Sequence, residues 1–359
     1  MKKFTVLSIA MCFAITTYSG DRSGRITHFK NKYVSIDFDT VYVDCDLDLG
    51  SMILLDDTYY IFSRRMFDMA NFRDWTDKFY AFSRTGEKLS ETDISQIFNS
   101  YYYLHSQNDT LVAQIGSRKR ASTLYFDKRG QKWKPFGKVD SPLFEDENYY
   151  VTSSCSGEWG GTVFFKDKRS GTIYEGSSTC PVKVTEYNGK YYVSNFLGHM
   201  RGHSTLYETE DPRNMSIYTG DRPKADKLIG QRECKSTEGM KKWLDIIGSS
   251  RTMELLSSFV RNDRLLHLYS DGDDVYICQL TDGDSVIRNV KNSRIQNVYR
   301  FKTPMSNNPW IKFSRTNYHQ LHLHTDRGNV GVIMEITPAA ILVHYVIRRT
   351  SSFPVHDME

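Results

Sequence analysis

The chain has 359 residues, enough for one large domain or two ordinary ones, and 13% of it is aromatic, a bias toward half-buried pleated strands. Its 47 basic and 43 acidic residues leave a formal charge of only +4, spread thinly along the sequence, which argues against a nucleic-acid partner. No CxxC, P-loop, HExxH, GxSxG or Rossmann glycine pattern occurs, so zinc, thioredoxin, nucleotide-binding and the common hydrolase chemistries lack sequence support.

Residues 1–20, MKKFTVLSIAMCFAITTYSG, start with basic Lys2 and Lys3 and continue with an apolar run from Phe4 to Ile15. Small and polar residues follow. That order reads as a bacterial-style signal peptide cleaved near Ser19 or Gly20, so a secreted or periplasmic mature chain of residues 21–359 is expected. Met11 precedes Cys12 where a lipid-modified cysteine needs a small residue, so lipoprotein anchoring is not expected. No later run approaches the ~20 apolar residues that span a bilayer, and no transmembrane segment is expected in the mature chain.

ITHFKNKYVSIDF (26–38) reads as strand without a complete unit of its own. DCDLDLG then places Asp44, Asp46 and Asp48 at alternate positions, on one face if the stretch is extended. A DxDxDG calcium loop needs Gly after the third Asp, but Leu49 intervenes, so no metal is assigned.

From residue 51 onward a unit of two hairpins recurs. The units centre on Tyr80, Tyr125, Phe164, Tyr207, Tyr276 and Ile333, at steps of 45, 39, 43, 69 and 57 residues. Turns are read at Asp56–Asp57, Asn108–Asp109 and Asn188–Gly189, the last a strong two-residue hairpin signal. A recurrence near 40–50 residues with about four strands each predicts an all-β, single-domain β-propeller, with a β-sandwich as the alternative. Six blades are expected, five or seven being possible, with 26–38 supplying an outer or inner strand of the last. The long fourth step holds an insertion whose centre, TEGMKKWLDIIG (237–248), reads as a short helix capped by Thr237.

The pairing of ILLDDTYYIFS with FYAFSRTGEKL, followed by LYFDKRGQKW, resembles the six-bladed propellers of the NHL and TolB-like group. The resemblance is clearest over residues 52–133 and implies architecture, since that group includes enzymes, ligand binders and interaction scaffolds.

Function is expected in the connections that differ between units. FLGHMRGHSTLYE brings His199, Arg201 and His203 into a glycine-bracketed loop suited to an anionic or hydroxyl-rich ligand. SCSGEWGG sets Glu158 beside Trp159, a carboxylate and an aromatic face of the kind that bind sugars. His322 and His324 alternate along HLHTD and would share a strand face, a weaker signal. Once Cys12 is removed with the leader, five cysteines remain, and Cys155 with Cys180 is the expected disulfide, buried free thiols being the alternative.

The expected function is non-catalytic binding of a carbohydrate or of a cell-surface or envelope partner on one face, without a cofactor. A glycoside hydrolase or lyase, with Glu158 as acid and an Asp of the 44–48 group as base, is one alternative. A structural subunit of an envelope complex is the other.

Overall fold

The computed structural model describes residues 27–30, 34–46, 48–64, 76–94, 102–107, 110–115, 123–136, 142–197, 203–220, 233–247, 254–270, 274–280, 295–302, 321–324, 330–337 and 340–349. Strand dominates them, in six small sheets among the described residues, and the fold is an all-β propeller.

Strands β1 (Thr27–Lys30) and β2 (Ser35–Val43) form a hairpin. Strands β3 (Asp48–Leu55), β4 (Thr58–Arg64), β5 (Thr76–Ser83) and β6 (Lys88–Asp93) make the next sheet as an antiparallel meander. Strands β7 (Tyr102–Gln107), β8 (Thr110–Ile115), β9 (Thr123–Asp127) and β10 (Lys132–Pro135) repeat the pattern. The third meander contains β11 (Phe144–Glu145), β12 (Tyr149–Cys155), β13 (Gly161–Asp167) and β14 (Ile173–Ser177). In the fourth, β15 (Pro181–Tyr187), β16 (Lys190–Leu197) and β17 (His203–Thr209) are followed by an excursion. The chain returns to the third sheet as β18 (Ser216–Ile217), on the far side of β14, before β19 (Lys241–Ile247) completes the fourth. Strands β20 (Glu254–Val260), β21 (Leu265–Ser270), β22 (Asp274–Leu280) and β23 (Ile295–Lys302) form the fifth. The last sheet joins β24 (Leu321–His324), β25 (Val330–Ile336) and β26 (Ile341–Arg348) to the first hairpin in the order β1-β2-β26-β25-β24. The expected closing role of 26–38 is thus on the outer side: β2 lies parallel to β26, Ile36 opposite Ile341 and Val43 opposite Arg348.

The six residues on which the repeat is centred fall in six different sheets, on β5, β9, β13, β17, β22 and β25. The turn residues explain why. Asp56 and Asp57 take φ of 49° and 56°, and Asn188 and Gly189 take 52° and 73°, the left-handed pairs that match the twist of a two-residue hairpin. Asn108–Asp109 lies outside the described residues. In the recurrent polar turn, Asp127 Oδ1 accepts the backbone N–H of Arg129 and Gly130, and Asp167 Oδ1 does the same for Arg169 and Ser170.

Neighbouring sheets are joined by aromatic rings. Phe79 lies 4.8 Å from Phe126 and 5.2 Å from Trp133, so the end of LYFDKRGQKW packs onto the preceding sheet. Tyr149, Phe165 and Tyr191 fill the same role between the third and fourth sheets, in edge-to-face contacts of 5.4–5.9 Å.

The helix expected over 237–248 is corrected. Thr237–Met240 forms a turn, closed by the Met240 N–H on the Thr237 carbonyl with Gly239 at φ 70°, and Lys241–Ile247 is strand β19. Leu244 and Ile246 are buried against β17 while Trp243 and Asp245 between them stay half-buried, a period of two. Burial on one sheet face overrode a weak local helix preference. Among the described residues no helix is long and apolar enough to cross a membrane.

Candidate functional site

The antiparallel meanders bring several connections to one rim of the third, fourth and fifth sheets. Cys155 pairs with Gly161 where β12 passes into β13, and Thr162 pairs with Ser177 at the end of β14. The Phe196 N–H donates to the Cys180 carbonyl over 3.2 Å, and the Leu255 N–H donates to Ser204 Oγ over 2.9 Å, linking this rim to the starts of β17 and β20.

On that rim Gly157–Trp159 forms a single 3-10 turn. Glu158 is exposed, and the Trp159 ring is 50% exposed, an unusual position for the largest apolar side chain. Gly160 at φ 111° lets the chain turn back into β13, and a Cβ on Gly161 would stand 2.6 Å from the carbonyls of Ser154 and Ser178. Glycine is required at both. Cys155 and Cys180 are joined in a disulfide with Cα atoms 4.4 Å apart, tying the end of β12 to the start of β15. Cys45, Cys234 and Cys278 are buried and outside any disulfide among the described residues.

Beneath the turn lies Glu233, only 8% exposed, from the excursion that follows β18. Its carboxylate accepts hydrogen bonds from Ser154 Oγ (2.5 Å), Ser156 Oγ (2.6 Å) and Thr162 Oγ1 (2.7 Å). The sequence reading missed this residue because its partners lie 71–79 positions away. The available signal was Ser154, Ser156 and Thr162 flanking the turn, hydroxyls that demand an acceptor when covered.

His203, at the start of β17, faces the next strand: its Nε2 is 2.8 Å from Asp245 Oδ1, and Lys242 Nζ reaches Asp245 Oδ2 at 3.0 Å. Burial works against the Asp245 charge, but the His203 and Lys242 hydrogen bonds outweigh it and hold the carboxyl below its ordinary range. His199 and Arg201 lie outside the described residues. His322 and His324 fall on β24, but their side chains lie outside the described residues.

The aspartates of DCDLDLG part company. Asp44 and Asp46 are exposed between β2 and β3, with Asp46 2.7 Å from Lys78 Nζ, whereas Asp48 opens β3 and meets Arg348 at 3.0 Å. Among the described residues no three His, Cys, Asp or Glu side chains gather as a metal ion requires.

One further acid stands out. Glu254, at the start of β20, is 1% exposed, and its Oε2 has no hydrogen-bond partner among the described residues. Burial pushes its carboxyl up to about 8, so it is held protonated at neutral pH.

No protein-family model matches the chain, and no curated protein does. Solved structures similar to it include the β-propeller domain of the Trilobed protease from Pyrococcus furiosus, at 10% identity and TM-score 0.29, covering 80% of this chain and 94% of that one. The C-terminal WD40 domain of Sif2 is similar at 8% identity and TM-score 0.31, over 88% of this chain and 97% of that one. A GH43 β-xylosidase/α-arabinofuranosidase from a compost microbial metagenome is similar at 12% identity and TM-score 0.31, over 67% of this chain and 94% of its own. Scores of this size carry no inference about ligand or chemistry.

Proposed function

We propose that the protein is an exported propeller that binds carbohydrate, on a glycan or a glycosylated surface partner, through the rim that carries Glu158 and Trp159. The half-exposed Trp159 ring, on a turn pinned by the Cys155–Cys180 disulfide and by Glu233, carries the reading. An aromatic face held rigidly in water stacks on a sugar with little ordering cost, and an adjacent carboxylate takes its hydroxyls. His203, on the neighbouring connection of the same rim, extends the polar surface, and the loop with His199 and Arg201 is its continuation in sequence. Export rests on residues 1–20, and mass analysis of the exported protein tests it: a mature N-terminus near residue 20 supports the reading and an intact leader overturns it. The likeness of residues 52–133 to the NHL and TolB-like group belongs to the same proposal.

The test is a glycan panel read by direct binding. The unsubstituted protein should retain at least one glycan, and Trp159→Ala should lose it by about tenfold or more, the size of a stacking contact, with the thermal midpoint unchanged. Equal binding by both proteins overturns the assignment.

A glycoside hydrolase is the second reading, with Glu158 as the acid, because it is exposed on the same turn as Trp159, within reach of a sugar stacked there. Released reducing sugar from the bound glycan, abolished by Glu158→Gln, would establish that reading in place of simple binding.

A further inference from the structure

We infer that Glu233–Ser236 is a strap that sets the pose of the ligand-binding turn, with Glu233 as its positioning residue; the inference rests on the reading of that turn as the carbohydrate site. Four consecutive residues of the excursion each hold the end of the third sheet. Glu233 takes the three hydroxyls of Ser154, Ser156 and Thr162. The Cys234 N–H donates to Thr162 Oγ1 over 2.8 Å. Lys235 Nζ donates to the Trp159 carbonyl over 3.2 Å. The Ser236 carbonyl accepts the Ser177 N–H over 2.7 Å.

The turn cannot hold itself in this way. Its own backbone bonds are Ser156 N–H to Gly160 O, Gly160 N–H to Gly157 O and a long Trp159 N–H to Ser156 O of 3.4 Å, and no residue of Gly157–Trp159 is buried. A ring that is half in water gains little packing to fix it, so its direction is inherited from the backbone beneath. An apolar residue at 233 would cover the turn equally well but would take away the shared acceptor for β12, for the residue capping the turn and for β13. Burying an acid is unfavourable unless its oxygens are satisfied, and here they are satisfied by the strands on both sides of the turn. Gly160 completes the fit: a Cβ there would stand 3.4 Å from Lys235 Nζ and 3.8 Å from Glu233 Cβ, against the strap.

Glu233→Ala, Glu233→Gln and Lys235→Ala in the full mature chain test this, each also made with Trp159→Phe so that the difference in acrylamide quenching reports Trp159 alone. Glu233→Ala should raise that quenching, speed amide exchange over residues 156–160 by about tenfold or more, and weaken glycan binding while the protein is still fully folded at the assay temperature. Glu233→Gln, which keeps an acceptor and the side-chain volume, should restore most of the loss. Unchanged quenching and exchange in Glu233→Ala overturn the strap. Should that variant fail to fold, Lys235→Ala, which removes only the bond to the Trp159 carbonyl, must shift the same two readouts in the same direction, and no shift overturns the inference. Absence of any glycan binding by the unsubstituted protein would sink the proposed function, while quenching and exchange still decide the strap.

Discussion

His344 Nε2 lies 3.1 Å from Glu335 Oε2, with the imidazole 2% exposed inside the sheet that unites the first hairpin with the last strand. Its other nitrogen is 3.1 Å from the Tyr59 hydroxyl of β4 and 3.5 Å from Asp39 Oδ2 of β2, so four strands meet at one ring. Burial opposes its charging, but the Asp39 and Glu335 carboxylates outweigh that and hold the pKa above its ordinary value, with the Arg84 cation nearby working the other way. A histidine with a raised folded pKa contributes stability that is fully present below its unfolded pKa, ~6.5, and is lost as pH rises through the folded one. The thermal midpoint should therefore fall as pH rises from 6 through the alkaline side. His344→Gln should be less stable at pH 6, by roughly 3–5 kcal/mol if the two acids are left uncompensated, and should flatten this part of the profile. Parallel pH profiles for the two proteins would show that the ring carries no proton-linked stability.

Glu254 gives the opposite test. Its carboxyl is raised from an ordinary 4.5 to about 8 by burial alone. An acid whose folded pKa is raised favours the folded state while protonated, so its contribution is full below pH 4.5 and lost progressively as pH rises to about 8. Glu254→Gln keeps the shape without the charge. Urea denaturation at pH 8.5 should find it more stable than the unsubstituted protein, by a few kcal/mol at about 1.4 kcal/mol per pKa unit, and the difference should vanish near pH 5. Equal stability of the two proteins at both pH values would mean that the folded protein ionises Glu254 freely.

The architecture was legible in the sequence wherever a local rule governs. Asn188–Gly189 and Asp56–Asp57 announce hairpins because few residues tolerate their positive φ. Trp133 follows a polar turn because the outer strand of that hairpin packs on the preceding sheet, against Phe79. KKWLDII misled because Thr237 ahead of it suits a helix cap, while the burial that decides the matter comes from β17, 33–44 positions earlier in the paired register. The site was half legible. Trp159 and Glu158 stand out by type within a glycine turn, whereas Glu233 is an ordinary acid in an irregular stretch until the chain folds back over Ser154 and Thr162.

The disulfide closes a sequence separation of 25 residues, and in the chain-entropy account that is worth about 3.5 kcal/mol. Cys155 is exposed, so a thiol reductant can reach it. Reduction should lower the thermal midpoint, and the double variant Cys155→Ser, Cys180→Ser should show that lowered midpoint with and without reductant. Cys45, Cys234 and Cys278 are buried outside any disulfide, so a drop that persists in the double variant would mean that the Cys155–Cys180 bond is not what the reductant acts on.

Gly86 and Gly171 occupy comparable turns after the third strand of a meander, at φ 86° and 75°, but in different surroundings. A Cβ on Gly86 would stand 2.3 Å from the Tyr42 carbonyl and 3.1 Å from Val41 Cγ1, because this turn abuts β2, whereas a Cβ on Gly171 meets nothing within 4 Å. Both alanine variants carry the left-handed backbone strain, roughly 1 kcal/mol. Only Gly86→Ala must also push apart two chain segments, a crowding effect of roughly 1–3 kcal/mol more. Chemical denaturation of the two variants should place Gly86→Ala clearly below Gly171→Ala in stability, and further loss should appear as weakened protection of β2 in amide exchange. Equal destabilisation would mean that the turn does not support the hairpin that closes the last sheet.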